Sequence, residues 1–180
     1  NYALQRIKRA GYRATRALND FCIANSQSGA EFNHRELRNP KGSYYTIHNG
    51  VDTERFRPAD ATTERARLGI DPGHFGIGMF GSFKLQKNHP LVFAAMRRVL
   101  DVRPDARLLL VGDELAGGQH GSDIYKRETL RTATELGLDP YCIYAGNRDD
   151  VEHLYPACNV TALPSLFEGT PNVALESMAC

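Results

Sequence analysis

Several short segments of this chain are almost continuously apolar, and amphipathic stretches separate them. They are FGIGMFGS (75–82), RLLLVGD (107–113), YCIYAG (141–146) and NVTALPS (159–165), all of strand length. Between the first two, residues 88–102 set Leu91, Val92, Ala95, Met96 and Val99 at helical spacing. The Gly-rich stretch LAGGQHGS leads into a helix expected over 123–136, another is expected around 149–157, and a last one starts from Pro171. Strands apolar on both faces, alternating with amphipathic helices, predict a parallel sheet covered on both sides, a doubly wound α/β domain. Sheets of this kind take ligands at the carboxyl ends of their strands.

Upstream the pattern differs. A helix predicted over 2–19 places Leu4, Ile7, Gly11, Ala14 and Leu18 along one face and Arg6, Arg9, Arg13 and Arg16 along another, with Lys8 nearby. FCIANS (21–26) reads as a short strand ending at Ser26, which can cap a helix running to about Leu37. NPKG (39–42) breaks the chain, residues 44–47 read as another strand, Asn49-Gly50 forces a turn, and Pro58 ends the connection. The expected division is therefore 1–41, a helix-strand-helix piece, and 42–180, the α/β domain.

Composition narrows the picture a little further. At 180 residues there is room for one full domain, or one with a piece of another. Against 22 Lys and Arg stand 21 Asp and Glu, a net charge of +1 that does not suit a nucleic-acid groove, so no nucleic-acid partner is expected. No apolar run is long enough to span a bilayer and the first residues, NYALQ, lack a signal-peptide profile, so the expected location is cytoplasmic. The cationic face of the first helix reads first as a solvated surface, and second as a peripheral contact with the anionic inner face of the cell membrane. Cys22, Cys142, Cys158 and Cys180 lie far apart with no C-x-x-C pair, as expected of reduced thiols.

GIGMFG (76–81) matches G-x-G-x-x-G letter for letter, yet its glycines lie inside the strand instead of between a strand and a helix. The next strand-end acid, Asp113, is 32 residues beyond Gly81, not about 20. Nicotinamide dinucleotide binding is not expected. D-x-D, H-E-x-x-H, G-x-S-x-G and a Walker lysine are also missing, and the six histidines show no ligand spacing, so no metal is expected.

What remains gathers at two places. GSFKLQKNH puts Ser82, Lys84 and Lys87 on the loop after the first strand of the domain, where an ammonium can neutralise phosphate charge. In EGTPN, Thr170 suits a helix N-cap and Pro171 the first turn, which frees the N–H groups of Asn172 and Val173 to meet an anion. Gly169 lets backbone approach a ligand closely. Glu176 sits inside VALESMAC among apolar neighbours, so its carboxylate lies at a wet edge or bonds to something, and two vicinal hydroxyls suit its two oxygens.

Taken in order, FCIANS, IHNGVDTERFRP, GSFKLQKNHPLVFAAM, RLLLVGD, IYAGNRDDVEHLYPACNV and LPSLFEGTPNVALESMAC resemble successive landmarks of the retaining nucleotide-sugar glycosyltransferases of family 4, also called group 1. Glu168 and Glu176 match that family's E-x7-E signature. The resemblance implies the GT-B fold of two Rossmann-like domains. Residues 42–180 would be the C-terminal, nucleotide-sugar-binding domain, incomplete at its end, and 1–41 the tail of the N-terminal, acceptor domain. It implies a UDP- or GDP-sugar as donor substrate, no cofactor, no metal, and a glycan or lipid-linked acceptor held through the N-terminal domain, in cell-surface polysaccharide or glycolipid synthesis. Within the site it implies Glu176 on the ribose hydroxyls, Glu168 on the transferred sugar, Lys87 and the backbone from Gly169 to Val173 on the diphosphate, and Gly146, Asn147 and Arg148 beside the base. Glu168 and Lys87 would then carry the catalysis.

Two positions depart from the family pattern: Ser82 stands where many members carry Arg, and Thr170-Pro171 replaces the commoner Phe-Gly. Without a full acceptor domain, the chain is expected to bind a nucleotide sugar and not to transfer sugar by itself. Two alternatives stay open: a non-catalytic nucleotide-binding module of the same fold, or another GT-B enzyme such as an epimerase or phosphorylase.

Overall fold

The computed structural model describes residues 10, 11, 14, 15, 18, 20–37 and 43–180. The helix expected over 2–19 and the break at 39–42 lie largely outside the described residues. The chain forms two compact units: Asn1–Gly50 with Glu168–Pro171, and Val51–Phe167 with Asn172–Cys180.

In the first unit, strand β1 (Phe21–Ala24) runs parallel to β2 (Ser43–Thr46), with Phe21 opposite Ser43 and Ala24 opposite Thr46. Helix α1 (Gln27–Leu37) joins them. Ser26 caps it as its sequence position suggests, its Oγ accepting the Gly29 N–H at 3.1 Å. Because β2 pairs with β1, the first compact unit runs on to Gly50.

The second unit opens with α2 (Thr62–Leu68), a helix that the apolar pattern does not announce. Gly69 ends it in the left-handed conformation at φ 70°, its N–H bonding back to Ala66 and Arg65. There follow β3 (Phe75–Phe80), α3 (His89–Leu100), β4 (Ala106–Val111), α4 (Ser122–Glu135), β5 (Cys142–Gly146), α5 (Val151–Leu154), β6 (Val160–Thr161) and α6 (Asn172–Ala179). The sheet is parallel throughout, in the order β5-β4-β3-β6. The doubly wound reading therefore holds, although β6 is only two residues long and α5 only four.

Alternation along β4 explains why its sequence is unbroken Leu and Val. Leu108 and Leu110 face a cluster with Met79, Phe93, Met96 and Leu138, while Leu109 and Val111 face another with Phe56, Phe80, Leu154 and Tyr155. Leu108, Leu109 and Leu110 are each at most 1% exposed. Each such side chain contributes about 2–3 kcal/mol of burial, and truncating one to alanine costs about 2–5 kcal/mol once the cavity is counted.

The G-x-G-x-x-G run has a packing explanation. A Cβ at Gly78 would lie 2.7 Å from both Cys158 Sγ and the Phe80 ring, and one at Gly76 would lie 3.0 Å from the Ala157 carbonyl. These glycines make room for the 157–158 segment beside the strand.

The four thiols are free and half-buried. Burial pushes Cys142 up to about 11 and Cys158 up to about 12, so both stay protonated and unreactive. Among the described residues no helix is long and apolar enough to cross a membrane.

Candidate functional site

Three neighbouring strands of the second unit end on glycine. Gly81 follows β3, Gly112 follows β4 and Gly146 closes β5, with φ of 149°, 129° and 65°. The ladder continues through them: Gly81 N–H donates to the Val111 carbonyl and Gly112 N–H to the Gly146 carbonyl, each at 2.8 Å. At Gly112 a side chain is impossible, because a Cβ would sit 2.4 Å from the Gly81 oxygen and 3.1 Å from the Ser82 nitrogen. Two backbones thus meet at the carboxyl edge of the sheet with nothing between them.

Above this edge opens a pocket of about 460 Å³. It brings together five residues singled out from the sequence: Ser82, Asn147, Arg148, Val173 and Glu176. Sequence reasoning missed Gly112, Tyr155, Asp149 and Val151, which line it as well.

Glu176 lies on the second turn of α6, and its Oε2 accepts a hydrogen bond from the Tyr155 hydroxyl at 2.6 Å. The Tyr155 ring stacks on Phe80 at 4.0 Å and meets Phe56 edge-on at 6.0 Å. Burial, and then the bond to Glu176, push the phenol well above its ordinary value, so it stays a hydroxyl and donates. Among the described residues the carboxylate in the apolar helix thus accepts a hydrogen bond from one neutral hydroxyl and interacts electrostatically with Arg55, which leaves lone pairs for other donors in the pocket.

Arg148 is differently placed. Its guanidinium donates through Nε and Nη2 to the two oxygens of Asp150, both at 2.6 Å, and Nη2 also reaches Glu64 at 3.3 Å. These bonds raise the Arg148 pKa well above its usual value and hold Asp150 down to about 2. Next to it, Arg55 donates to the Asp149 carbonyl and to Glu152, each at 2.8 Å, so the loop after β5 is fastened at two points.

On the other side, Lys87 lays its aliphatic stem along Gly81, where a Cβ would meet its Cε at 3.1 Å and its Cδ at 3.3 Å. Neither Lys84 nor Lys87 lines the pocket; the Lys84 carbonyl accepts the Lys87 N–H at 2.9 Å and closes the turn between them. His89 is 1% exposed and stacks flat on Phe83 at 4.2 Å. Burial lowers its pKa to about 4 against the opposing pull of a hydrogen bond to the Gly81 backbone, so the ring is neutral and braces the end of β3. Its Nδ1 has no partner. The strand-end acid Asp113 pairs with Lys126, which holds its pKa below the usual carboxylate range.

The segment Glu168–Pro171 groups with the first unit. The Thr170 hydroxyl donates to the Asn25 carbonyl, and Asn49 Nδ2 donates to the Thr170 carbonyl at 3.3 Å. This corrects the reading of Thr170 as a helix cap: its hydroxyl is spent on Asn25, and the helix begins at Asn172. At Gly169 a Cβ would lie 2.6 Å from Asn25 Oδ1, so any larger residue there would have to displace the Asn25 side chain. Glu168 opens this segment, and Asn172 opens α6.

A parallel, doubly wound sheet with a pocket at its glycine-ended carboxyl edge defines an α/β domain of the Rossmann-like class. The chain belongs to the group 1 glycosyltransferases: the sequence model described as Glycosyl transferases group 1 matches residues 74–180. It is 32% identical over 133 residues to a D-inositol 3-phosphate glycosyltransferase of Segniliparus rotundus, covering 73% of this chain and 28% of that protein. To the lipopolysaccharide core biosynthesis mannosyltransferase LpsB of Rhizobium meliloti it is 31% identical over 134 residues, covering 74% of this chain and 37% of that one. Among solved structures, Anabaena HepE in complex with UDP-glucose superposes with a TM-score of 0.81 at 26% identity, over 96% of this chain and 47% of that one. The likeness shows a GT-B C-terminal-type sheet, and the chain spans only about a third of these curated relatives.

Proposed function

We propose that the pocket at the carboxyl edge of β3, β4 and β5 binds the nucleotide of a UDP- or GDP-sugar, and that the chain supplies the donor half of a retaining glycosyltransferase of cell-surface polysaccharide or glycolipid synthesis. The observation that carries this reading is Glu176, a carboxylate turned to the same pocket as Ser82, Asn147 and Val173 with acceptor capacity to spare. Ribose offers the vicinal hydroxyls that such a group takes. HepE, the relative in fold, is solved in complexes with UDP and with UDP-glucose, which supports a uracil nucleotide first.

Chemistry follows from electrostatics. The bond between the anomeric carbon and the diphosphate oxygen breaks as the acceptor oxygen attacks from the same face, and the acceptor proton leaves with the diphosphate. Lys87, whose stem lies along Gly81 at the pocket's edge, would supply positive charge to the departing diphosphate, joined by backbone N–H groups at the start of α6. Resident cofactor or metal plays no part in this reading. The assignment of Glu168 to the transferred sugar rests on the E-x7-E spacing, and those of Gly169, Thr170 and Pro171 on the same segment. The acceptor and the membrane-side role of the first helix rest on family habit and on charge.

The test is an NMR titration of the chain with UDP and GDP. Amide shifts at Gly81, Ser82, Gly112, Asn147 and Val173 are expected with one or both nucleotides. If neither moves these amides at millimolar concentration, the pocket is not a donor site and the module is of another kind.

A further inference from the structure

We infer that Tyr155 is the positioning residue of this site: its hydroxyl holds Oε2 of Glu176 so that Oε1 is presented to the ribose of a nucleoside diphosphate. The inference rests on the reading of the pocket as a nucleotide site and goes beyond it by dividing the two oxygens of Glu176 between protein and ligand.

A glutamate at the mouth of a pocket has three rotatable bonds, and ordering them on ligand binding costs free energy. Here the ordering is done beforehand. The Tyr155 ring cannot turn, because it lies stacked on Phe80 at 4.0 Å and belongs to the buried cluster of Leu109, Val111 and Leu154. Only the hydroxyl proton is free to choose a direction, and it points to Glu176 Oε2 at 2.6 Å. A rigid phenol one hydrogen bond behind a carboxylate is the arrangement that fixes a first contact from a second layer of the fold. The bland reading is that Glu176 merely satisfies a buried phenol. That reading predicts a loss of stability without any effect on ribose recognition, and the two are separable.

The experiment compares affinities of UDP and 2′,3′-dideoxy-UDP for wild type, Tyr155→Phe, Glu176→Gln and the double variant, by calorimetry on the full chain. Wild type prefers UDP. Tyr155→Phe, which keeps the ring and its stacking, lowers UDP affinity about tenfold while leaving dideoxy-UDP unchanged. In the Glu176→Gln background the same change produces no further loss. If Tyr155→Phe weakens both nucleotides alike, or neither, the positioning role is overturned and Tyr155 is a packing residue. If wild type does not distinguish the two nucleotides and Glu176→Gln is silent, the donor-site reading falls and this inference with it. Should Tyr155→Phe fail to fold, NMR of the Tyr155 hydroxyl proton in wild type decides: a proton protected from exchange with and without UDP means that the bond to Glu176 is kept, and one that exchanges freely, or loses its protection on UDP binding, overturns the positioning role.

Discussion

The pocket has a floor made of backbone and a wall made of charged side chains, and the two are built on opposite principles. On the floor, Gly81 and Gly112 touch, the ladder runs through to Gly146, and a neutral His89 braces the end of β3. These groups are held by the fold, with the Nδ1 of His89 left without a partner. On the wall, Arg148 is engaged by Asp150 and Glu64, whereas Glu176 accepts its hydrogen bond from a neutral hydroxyl and feels Arg55 only through space. The lesson is that a charged residue in a pocket is not thereby a ligand residue. What already satisfies it decides: Arg148 fastens the loop after β5, and Glu176 keeps acceptor capacity for the proposed ligand.

This contrast can be broken from the floor upward. The largest effect is expected from Gly112→Ala, because the new methyl would overlap the Gly81 carbonyl and sit at a positive φ. A loss of about 4 kcal/mol is expected, lowering the melting temperature by about 10 °C. A melting temperature within a degree or two of wild type would show that the two backbones do not meet there.

Next comes the pH dependence of His89. Its folded pKa of about 4 lies below the unfolded value of 6.5, so the unfolded chain takes up a proton that the native ring refuses. Stability is therefore intact above pH 6.5 and is lost as pH falls from there toward about 4, by about 3 kcal/mol in all. Urea unfolding at pH 7 and pH 5 measures it, and His89→Phe should flatten that part of the profile. An unchanged slope in the variant would mean that another group titrates there.

The smallest effect should come from the wall residue that the fold has consumed. Arg148→Met removes the clip to Asp150 and Glu64 but no ligand contact, so UDP affinity should change by less than about threefold. A loss of a hundredfold would place the guanidinium on the nucleotide after all and dissolve the distinction drawn between the two corners.

Much of this was legible in the chain and some was not, for physical reasons. The strands of the second unit could be read because β3 and β4 are buried on both faces, which writes itself as FGIGMF and LLLV. Helix α2 escaped because TTERARL has almost no apolar stripe to reveal it; the glycine stop at Gly69 was its one signal. The pairing of β2 with β1 escaped because a strand of four residues does not announce its neighbour. Within the site, Glu176 stood out as a lone carboxylate in an apolar helix, and Ser82 and Lys87 stood out by place. Gly112 and Tyr155 did not, because a close approach of two backbones and a phenol aimed across the fold are long-range facts with no local spelling. Arg148 was named by resemblance, but its pairing was not legible, since its partner Glu64 lies 84 residues away, although Asp150 two residues on was in plain view. Thr170 was read from a local cap rule, and a partner 145 residues distant overrode it.

The central claim is that Glu176 receives the ribose of a nucleoside diphosphate. Calorimetric titration of wild type and Glu176→Ala with UDP, both checked for equal melting temperature, tests it most directly. About a hundredfold loss of affinity in the variant is expected, the magnitude of two charge-assisted hydrogen bonds. Equal affinity of the two proteins for UDP would contradict the account.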